Sequence, residues 1–416
     1  MKEGSVSNPE SHPLSPADAD SVVAVAHKLL TRRFGGSPEL TEVEVLSGSG
    51  TAVVVRARLA PSAFLPHRSV VVKHMPVTGS PIDDAAFLRE VVAYQFTTSL
   101  PQEVRPGPVL LAYDMDSRIV VLTDIGEAET LIAALNQASE SKRVHLLRLL
   151  GEQLGRMHAG TATREQDYEH LLNRMLTRYP EYATTHAIRD RALRRSIEVG
   201  AQILAAEGLE PPKEFDGLMR HATRFQQSGR SRAFTPFDLS PDNIVVGKEM
   251  YFLDYEWAGF RNVGFDVACV IAGFPQFVFA RPINDEEADV FITAWVREIT
   301  TAWPRYGDQA KLEKLLVASL VGWALSSLST MYADGIEGII ALAEQDQPLA
   351  SGPARESFLR QADSTTFSEA ELLIRRDLYE TFEALSRFAA RCSGQDYAVI
   401  AAYANQVAQR LAVRQP

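Results

Sequence analysis

Thr235-Pro236-Phe237-Asp238-Leu239-Ser240-Pro241-Asp242-Asn243-Ile244-Val245-Val246 and, shortly after it, Tyr251-Phe252-Leu253-Asp254-Tyr255-Glu256 decide how this chain is read. Residues 244–247 and 250–253 are two apolar runs separated by Lys248-Glu249, the spacing of a tight hairpin. Pairing the runs around that turn sets Asn243 opposite Asp254, since each lies outside its strand by the same count. Two oxygen ligands then meet at one end of the hairpin, with Asp238 upstream in the same loop. A hard cation such as Mg²⁺ takes oxygen ligands and is completed by phosphates and water, so one Asn and one Asp are an adequate protein share. Asp238 is left to orient or deprotonate an attacking hydroxyl. Asp, Asn and Pro also belong in plain turns, and an ordinary acidic β-turn is the alternative reading.

Outward from this island, the N-terminal side is β-rich. Ser15-Pro16 signals a helix running to about Arg33, stopped by Gly35-Gly36. Strands are expected at 42–46, 51–58 and 69–74, then a helix over 82–98, then strands at 109–113 and 118–123. Five strands with one helix after the third make a small α/β lobe over residues 38–124, preceded by a helix and polar leader over 1–37. From 125 to 416 the 3.6-residue period dominates, with helices expected at 127–138, 144–159, 171–178, 189–206, 213–227, 265–272, 285–301, 312–333, 367–388 and 395–411. Residues 345–351 and 362–366 read as surface loops. The fold class is therefore α+β and bilobal, with a β-rich N-lobe and a larger helical C-lobe carrying one embedded hairpin.

Composition limits the partners. In 416 residues, 42 basic and 53 acidic side chains leave a net charge of −11, which argues against a dedicated binder of nucleic acid or anionic membrane. Residues 315–333 are uncharged but carry several Ser, Thr and Gly, so they read as a buried core helix rather than a membrane span. Cys269 and Cys392 have no metal-ligand neighbours and read as free thiols of a reducing compartment. With a polar, acidic start over 1–20, the expected location is the cytoplasm. Arginine outnumbers lysine 34 to 8, a hint of GC-rich coding and no more.

The order D-x-x-x-x-N, strand, second Asp resembles the catalytic and metal-binding segments of the kinase superfamily. The gap of sixteen residues between Asp238 and Asp254, and Asp254-Tyr255-Glu256 in place of Asp-Phe-Gly, look less like protein kinases. They resemble the aminoglycoside phosphotransferase and choline kinase branch, which acts on small molecules. The resemblance implies a bilobal protein-kinase-like fold and further parts in order. Lys73, in Val70-Val71-Val72-Lys73, would reach the α/β-phosphates, and Glu90, seventeen residues on, would hold it. Ser47-Gly48-Ser49-Gly50-Thr51 would approach the phosphates with backbone N–H groups, although a plain hairpin turn is the alternative. Thr123, Asp124 and Ile125 would form the hinge that faces adenine. Asn243 and Asp254 would hold Mg²⁺, and Asp238 would accept the proton of the acceptor hydroxyl. His158 reads as structural, Asp266 as a support of the catalytic loop, and Glu256 as either a brace or a neighbour of the metal.

One departure stands out. The family commonly has His-Gly before the catalytic Asp, and this chain has Pro236-Phe237. The implied activity is an ATP- and Mg²⁺-dependent O-phosphotransferase, with GTP possible. Its acceptor would be a small-molecule hydroxyl, with an antibiotic or other secondary metabolite placed ahead of choline or a sugar. A catalytically weak nucleotide-binding pseudokinase and a protein kinase are the competing readings.

Overall fold

Alternation builds the N-lobe. In β2 (Val53–Leu59), Val53, Val55, Ala57 and Leu59 are buried while the residues between them are not, the mark of a strand with one face on a core. The computed structural model describes residues 16–46, 52–62, 64–227, 229–274, 281–333, 335, 338–339, 341, 358–361 and 367–412. β1 (Leu40–Leu46), β2, β3 (Ser69–His74), β4 (Leu110–Asp114) and β5 (Ile119–Thr123) form one antiparallel sheet in the order β1-β2-β3-β5-β4. Helix α1 (Pro16–Phe34) lays Ala19, Val22, Ala26 and Leu30 into a core shared with Val53, Val55, Val70 and Val121. The sequence reading set this helix apart from the lobe, but its apolar face is part of the lobe's own core. Residues 1–15, and with them the polar leader, lie outside the described residues.

Helix α2 (Pro81–Thr98) follows β3 and joins the larger core, where Phe87, Val91 and Phe96 meet residues of the C-lobe. The C-lobe is a bundle: β6 (Glu129–Thr130), α3 (Leu131–Gln137), α4 (Glu140–Thr161), α5 (Glu165–Arg178), α6 (Ala183–Ala206) and α7 (Lys213–Gln227). The β-rich island supplies β7 (Arg232–Thr235), β8 (Ile244–Val246), β9 (Met250–Phe252) and β10 (Gly259–Asn262). Helices α8 (Gly264–Ile271), α9 (Asp285–Ile299), α10 (Gln309–Tyr332), α11 (Glu369–Arg391) and α12 (Gln395–Leu411) complete it. On α4, a Cβ at Gly151 would meet the Phe291 carbonyl at 2.4 Å, so only glycine lets α4 and α9 approach this closely. Helix α10 is apolar enough to cross a membrane, but 72% of that stretch is buried inside the protein, where it forms the axis of the bundle.

Two sequence expectations change. β8 and β9 pair as Ile244↔Phe252, Val245↔Tyr251 and Val246↔Met250, around a three-residue turn in which the Gly247 N–H donates to the Glu249 carbonyl at 3.0 Å. The register is thus one residue off the two-residue hairpin, and Asn243 faces Leu253 rather than Asp254, with the Leu253 N–H donating to the Asn243 carbonyl at 2.8 Å. A fourth strand, β10, was not expected; it pairs antiparallel with β7, Gly259↔Thr235 through Asn262↔Arg232. The loops expected at 345–351 and 362–366 lie outside the described residues.

Candidate active site

Lys73 sits in β3 between Val54 of β2 and Val120 of β5, so its side chain is aimed by two neighbouring strands. Its Nζ lies 2.8 Å from Glu90 Oε1 on α2 and 2.9 Å from Asp254 Oδ1, just after β9. Glu90 is fully buried and Lys73 nearly so, while Asp254 keeps one third of its side chain exposed. Burial by itself favours the neutral amine, but the Coulomb attraction of Glu90 and Asp254 outweighs it and raises Lys73 above its ordinary range, so the amine stays charged. Burial pushes Glu90 up to about 7; Lys73 opposes that rise and Asp254 adds to it. Burial also raises Glu256, with the charge of Asp254 as the next cause. The site therefore holds one cation among an excess of carboxylates.

The loop after β7 carries Asp238. Its Oδ1 accepts from the Ser240 N–H at 3.1 Å and its Oδ2 from Asn243 Nδ2 at 3.3 Å, an Asx-type turn that fixes the carboxylate. Asn243 is in turn tied to Leu253, one residue before Asp254, so the backbone ladder joins the two halves of the site. Asp254 itself adopts φ 59° and leaves the strand direction there, which is how it turns toward Lys73 despite the shifted register. Aspartate tolerates this left-handed region. Phe237 is at φ 67°, a strained conformation for an aromatic residue, immediately before Asp238. Its ring is held edge-on by Trp323, with centroids 6.1 Å apart, and is covered by the Arg261 guanidinium at 4.3 Å.

The remaining expected residues divide. Asp124 follows β5, and its Oδ2 accepts from Ser69 Oγ at 2.7 Å and pairs with Arg56 at 3.1 Å, while Oδ1 accepts from the Gly126 N–H at 2.9 Å. Thr123 Oγ1 accepts from the Val109 N–H at 2.9 Å. Both side chains therefore brace the segment leading to Ile125. Ser47, Gly48, Ser49, Gly50 and Thr51 lie outside the described residues. His158 is fully buried: the Trp295 indole N–H donates to its Nδ1 at 3.0 Å, which leaves Nε2–H to donate to Asp266 Oδ2 at 3.1 Å. Burial raises the Asp266 carboxyl, with His158 pulling the other way. Cys269 is the free thiol that the sequence reading expects; buried on α8, it is hydrogen-bonded to the Leu239 backbone and so touches the loop of Asp238, a contact with no local sequence signal. The role of Arg261 over Phe237 was equally invisible, because its strand was not foreseen.

A divalent cation fits this donor set. Asn243 uses its amide nitrogen on Asp238, which turns the amide oxygen to other duties, and the anion-rich group around Lys73 calls for more positive charge. Among the described residues no three His, Cys, Asp or Glu side chains converge as a self-sufficient metal site, so a cation here has to arrive with further ligands, as Mg²⁺ does on a nucleotide triphosphate.

Residues 68–307 match the model of the phosphotransferase enzyme family (APH), which spans more than half of the chain. No curated protein matches. Among solved structures, the choline/ethanolamine kinase family protein of Mesorhizobium loti aligns over 94% of this chain and 97% of its own at 14% identity and a TM-score of 0.45. The choline kinase LicA of Streptococcus pneumoniae covers 86% of this chain and 99% of its own, at 12% identity and a TM-score of 0.41. The gentamicin complex of APH(2″)-IIa covers 80% and 95%, also at 12% and 0.41. The chain belongs to the phosphotransferase enzyme family.

Proposed function

We propose that this protein is an ATP- and Mg²⁺-dependent O-phosphotransferase that phosphorylates a hydroxyl of a small molecule, an antibiotic or other secondary metabolite. The observation that carries the reading is Lys73 Nζ held between Glu90 and Asp254 beside the Asp238–Asn243 pair. Transfer of a γ-phosphoryl group is mostly positioning and charge neutralisation, and these side chains divide that work. Lys73, kept charged by two carboxylates, takes the α/β-phosphates, and Glu90 holds it in place. Asn243 and Asp254 would hold Mg²⁺, which would supply neutralisation of phosphate charge. Asp238, oriented by Ser240 and Asn243, accepts the proton of the attacking hydroxyl. In this reading the N-lobe over 38–124 covers the phosphates, Ile125 and its neighbours face the adenine, and the C-lobe over 125–416 carries the acceptor.

The test is to incubate the protein with Mg²⁺ and ATP, or GTP in a parallel arm, and a panel of hydroxylated antibiotics, secondary metabolites, choline and sugars. Mass spectrometry then reads the gain of one phosphoryl group. A phosphorylated antibiotic or secondary metabolite is expected. Phosphorylated choline or sugar alone would move the acceptor to primary metabolism. Nucleotide binding with no product from any acceptor would select the catalytically weak reading.

A further inference from the structure

A cavity of about 570 Å³ lies among α2, α5, α6, β7 and β10, and four arginines line it beside three carboxylates. Arg89 of α2, Arg194 of α6, Arg232 of β7 and Arg261 of β10 all line it, with His186 and Asp190 of α6. Arg232 is already matched by Glu165, at 2.6 Å, and Glu169 stands exposed at the mouth. The other cations are less well matched. Of the lining residues Arg89 is 3% exposed and Arg261 6%; Arg189, next to Asp190 in sequence but outside the lining, is 2% exposed. Among the described residues the one carboxylate in salt-bridge contact with any of these three is Asp190, 2.9 Å from Arg89.

The hydrogen bonding repeats this shortage of anions. Arg89 donates to the Ala258 carbonyl and Arg261 to the Trp257 carbonyl, at 3.2 and 2.6 Å, neutral acceptors for charged donors. Arg189 lies over the Trp257 ring at 3.4 Å, and its Nε and Nη2, like Arg89 Nε, are buried with no hydrogen-bond partner. Glu256 is near enough to favour the Arg189 charge, yet it accepts its hydrogen bond from the Trp257 indole N–H, at 2.9 Å. Two guanidinium tips also crowd one point: a Cβ on Gly259 would lie 3.5 Å from Arg89 Nη1 and 3.6 Å from Arg261 Nη1. Arginine does not shed its proton, so the repulsion persists. Desolvated cations without counter-charge are costly to a fold, and a planar guanidinium fork is matched best by the oxygens of a carboxylate or phosphate.

We propose that this cavity is a binding site for a phosphoryl dianion, as free phosphate or a phosphomonoester, distinct from the cleft of Lys73 and Asp254. Arg89 and Arg261, whose Nη1 atoms both flank Gly259, supply N–H donors from α2 and β10, and Arg194 adds charge. The occupant joins α2 to β10, and therefore links the helix that carries Glu90 to the strand whose Arg261 covers Phe237. The cavity is much larger than a phosphate ion, which leaves room for the alcohol part of an ester. This site goes beyond the proposed phosphotransfer, and its test does not read catalysis, so either can fail without the other.

The experiment is isothermal titration of the full chain with inorganic phosphate and, separately, glycerol 3-phosphate at constant ionic strength. It compares wild type, Arg261→Gln, Arg194→Glu and Lys73→Ala. Wild type and Lys73→Ala are expected to bind alike, and both pocket variants to bind at least about tenfold more weakly. Tighter binding of the ester assigns the site to phosphomonoesters; equal or tighter binding of the ion assigns it to the phosphoryl group alone. Arg194 is half-exposed, so Arg194→Glu decides the matter if Arg261→Gln does not fold. Absence of binding in wild type, binding lost in Lys73→Ala, or affinity kept in Arg194→Glu overturns the proposal.

Discussion

Lys73 and Asp254, 181 residues apart in the chain, meet across the two lobes at 2.9 Å, and the same amine reaches Glu90 at 2.8 Å. One ammonium thus closes a strand of the N-lobe, helix α2 and the end of the β8–β9 hairpin onto a single point. A lysine so placed cannot be exchanged for arginine without disturbing three elements, since the guanidinium is broader than the ammonium it would replace.

Replacing Asp238 by asparagine keeps the side chain's shape and its turn but removes the proton acceptor. Turnover is expected to fall about 10²–10⁴-fold, with the KM for ATP nearly unchanged. Steady-state kinetics on whichever acceptor the panel identifies check this. Turnover like that of wild type would remove Asp238 from the chemistry.

Phe237 at φ 67° predicts an inverted ranking of two small side chains. Glycine accepts that conformation freely, whereas alanine keeps the strain and loses the contacts with Trp323 and Arg261 just as glycine does. Phe237→Gly should therefore be more stable than Phe237→Ala by about 1 kcal/mol, the reverse of their order in a helix. Denaturant titration of both variants measures the difference.

His158→Ala should be among the most destabilising single changes in the C-lobe. It strips the buried Asp266 of its 3.1 Å donor, and Asp266 Oδ1 already has no hydrogen-bond partner. A loss of about 3 kcal/mol is expected, as for leaving a buried carboxylate without its donor. Asp266→Asn, which leaves no orphaned charge, should cost clearly less. Equal losses would show that packing, not the pairing, dominates.

His186 supplies a pH dependence. Burial first, and then the charge of Arg89, lower it to about 4 from 6.5, with Asp190 opposing and Arg189 and Arg261 adding to the fall. The unfolded chain then takes up this proton near pH 6.5 and the folded chain only near pH 4, so the contribution is complete above 6.5 and lost as pH falls between those values. The loss is on the order of 2–3 kcal/mol. Burial works against Asp190, but Arg89 and His186 lower it below the usual carboxylate range, so its own loss comes at still lower pH. Thermal denaturation of His186→Gln between pH 7 and 4.5 should show a flatter profile than wild type.

Much of the site was legible because its order along the chain is carried by local pattern. Val70-Val71-Val72-Lys73 reads as a strand ending in a cation, and the sixteen-residue step from Asp238 to Asp254 fits one loop and one hairpin. The hairpin's register was not legible. Gly247 joins the turn instead of the strand, a choice made by its backbone bond to Glu249, and the positive φ of Asp254 then compensates the shift. Nor does the sequence announce β10, since Gly259-Phe260-Arg261-Asn262 alternates no apolar face and is buried at every position by its surroundings. The arginine cavity is assembled from five separate elements, so no local window contains it.

The account's central claim is that the cleft holds a metal–nucleotide through Lys73 and Asp254, while Asp238 serves only the transfer. Calorimetric titration of ATP into wild type, Lys73→Met, Asp254→Ala and Asp238→Asn, each with and without Mg²⁺, tests it most directly. The account predicts Mg²⁺-dependent binding in wild type and Asp238→Asn, and its loss in Asp254→Ala and Lys73→Met. Equal, Mg²⁺-independent affinity across all four proteins would contradict it.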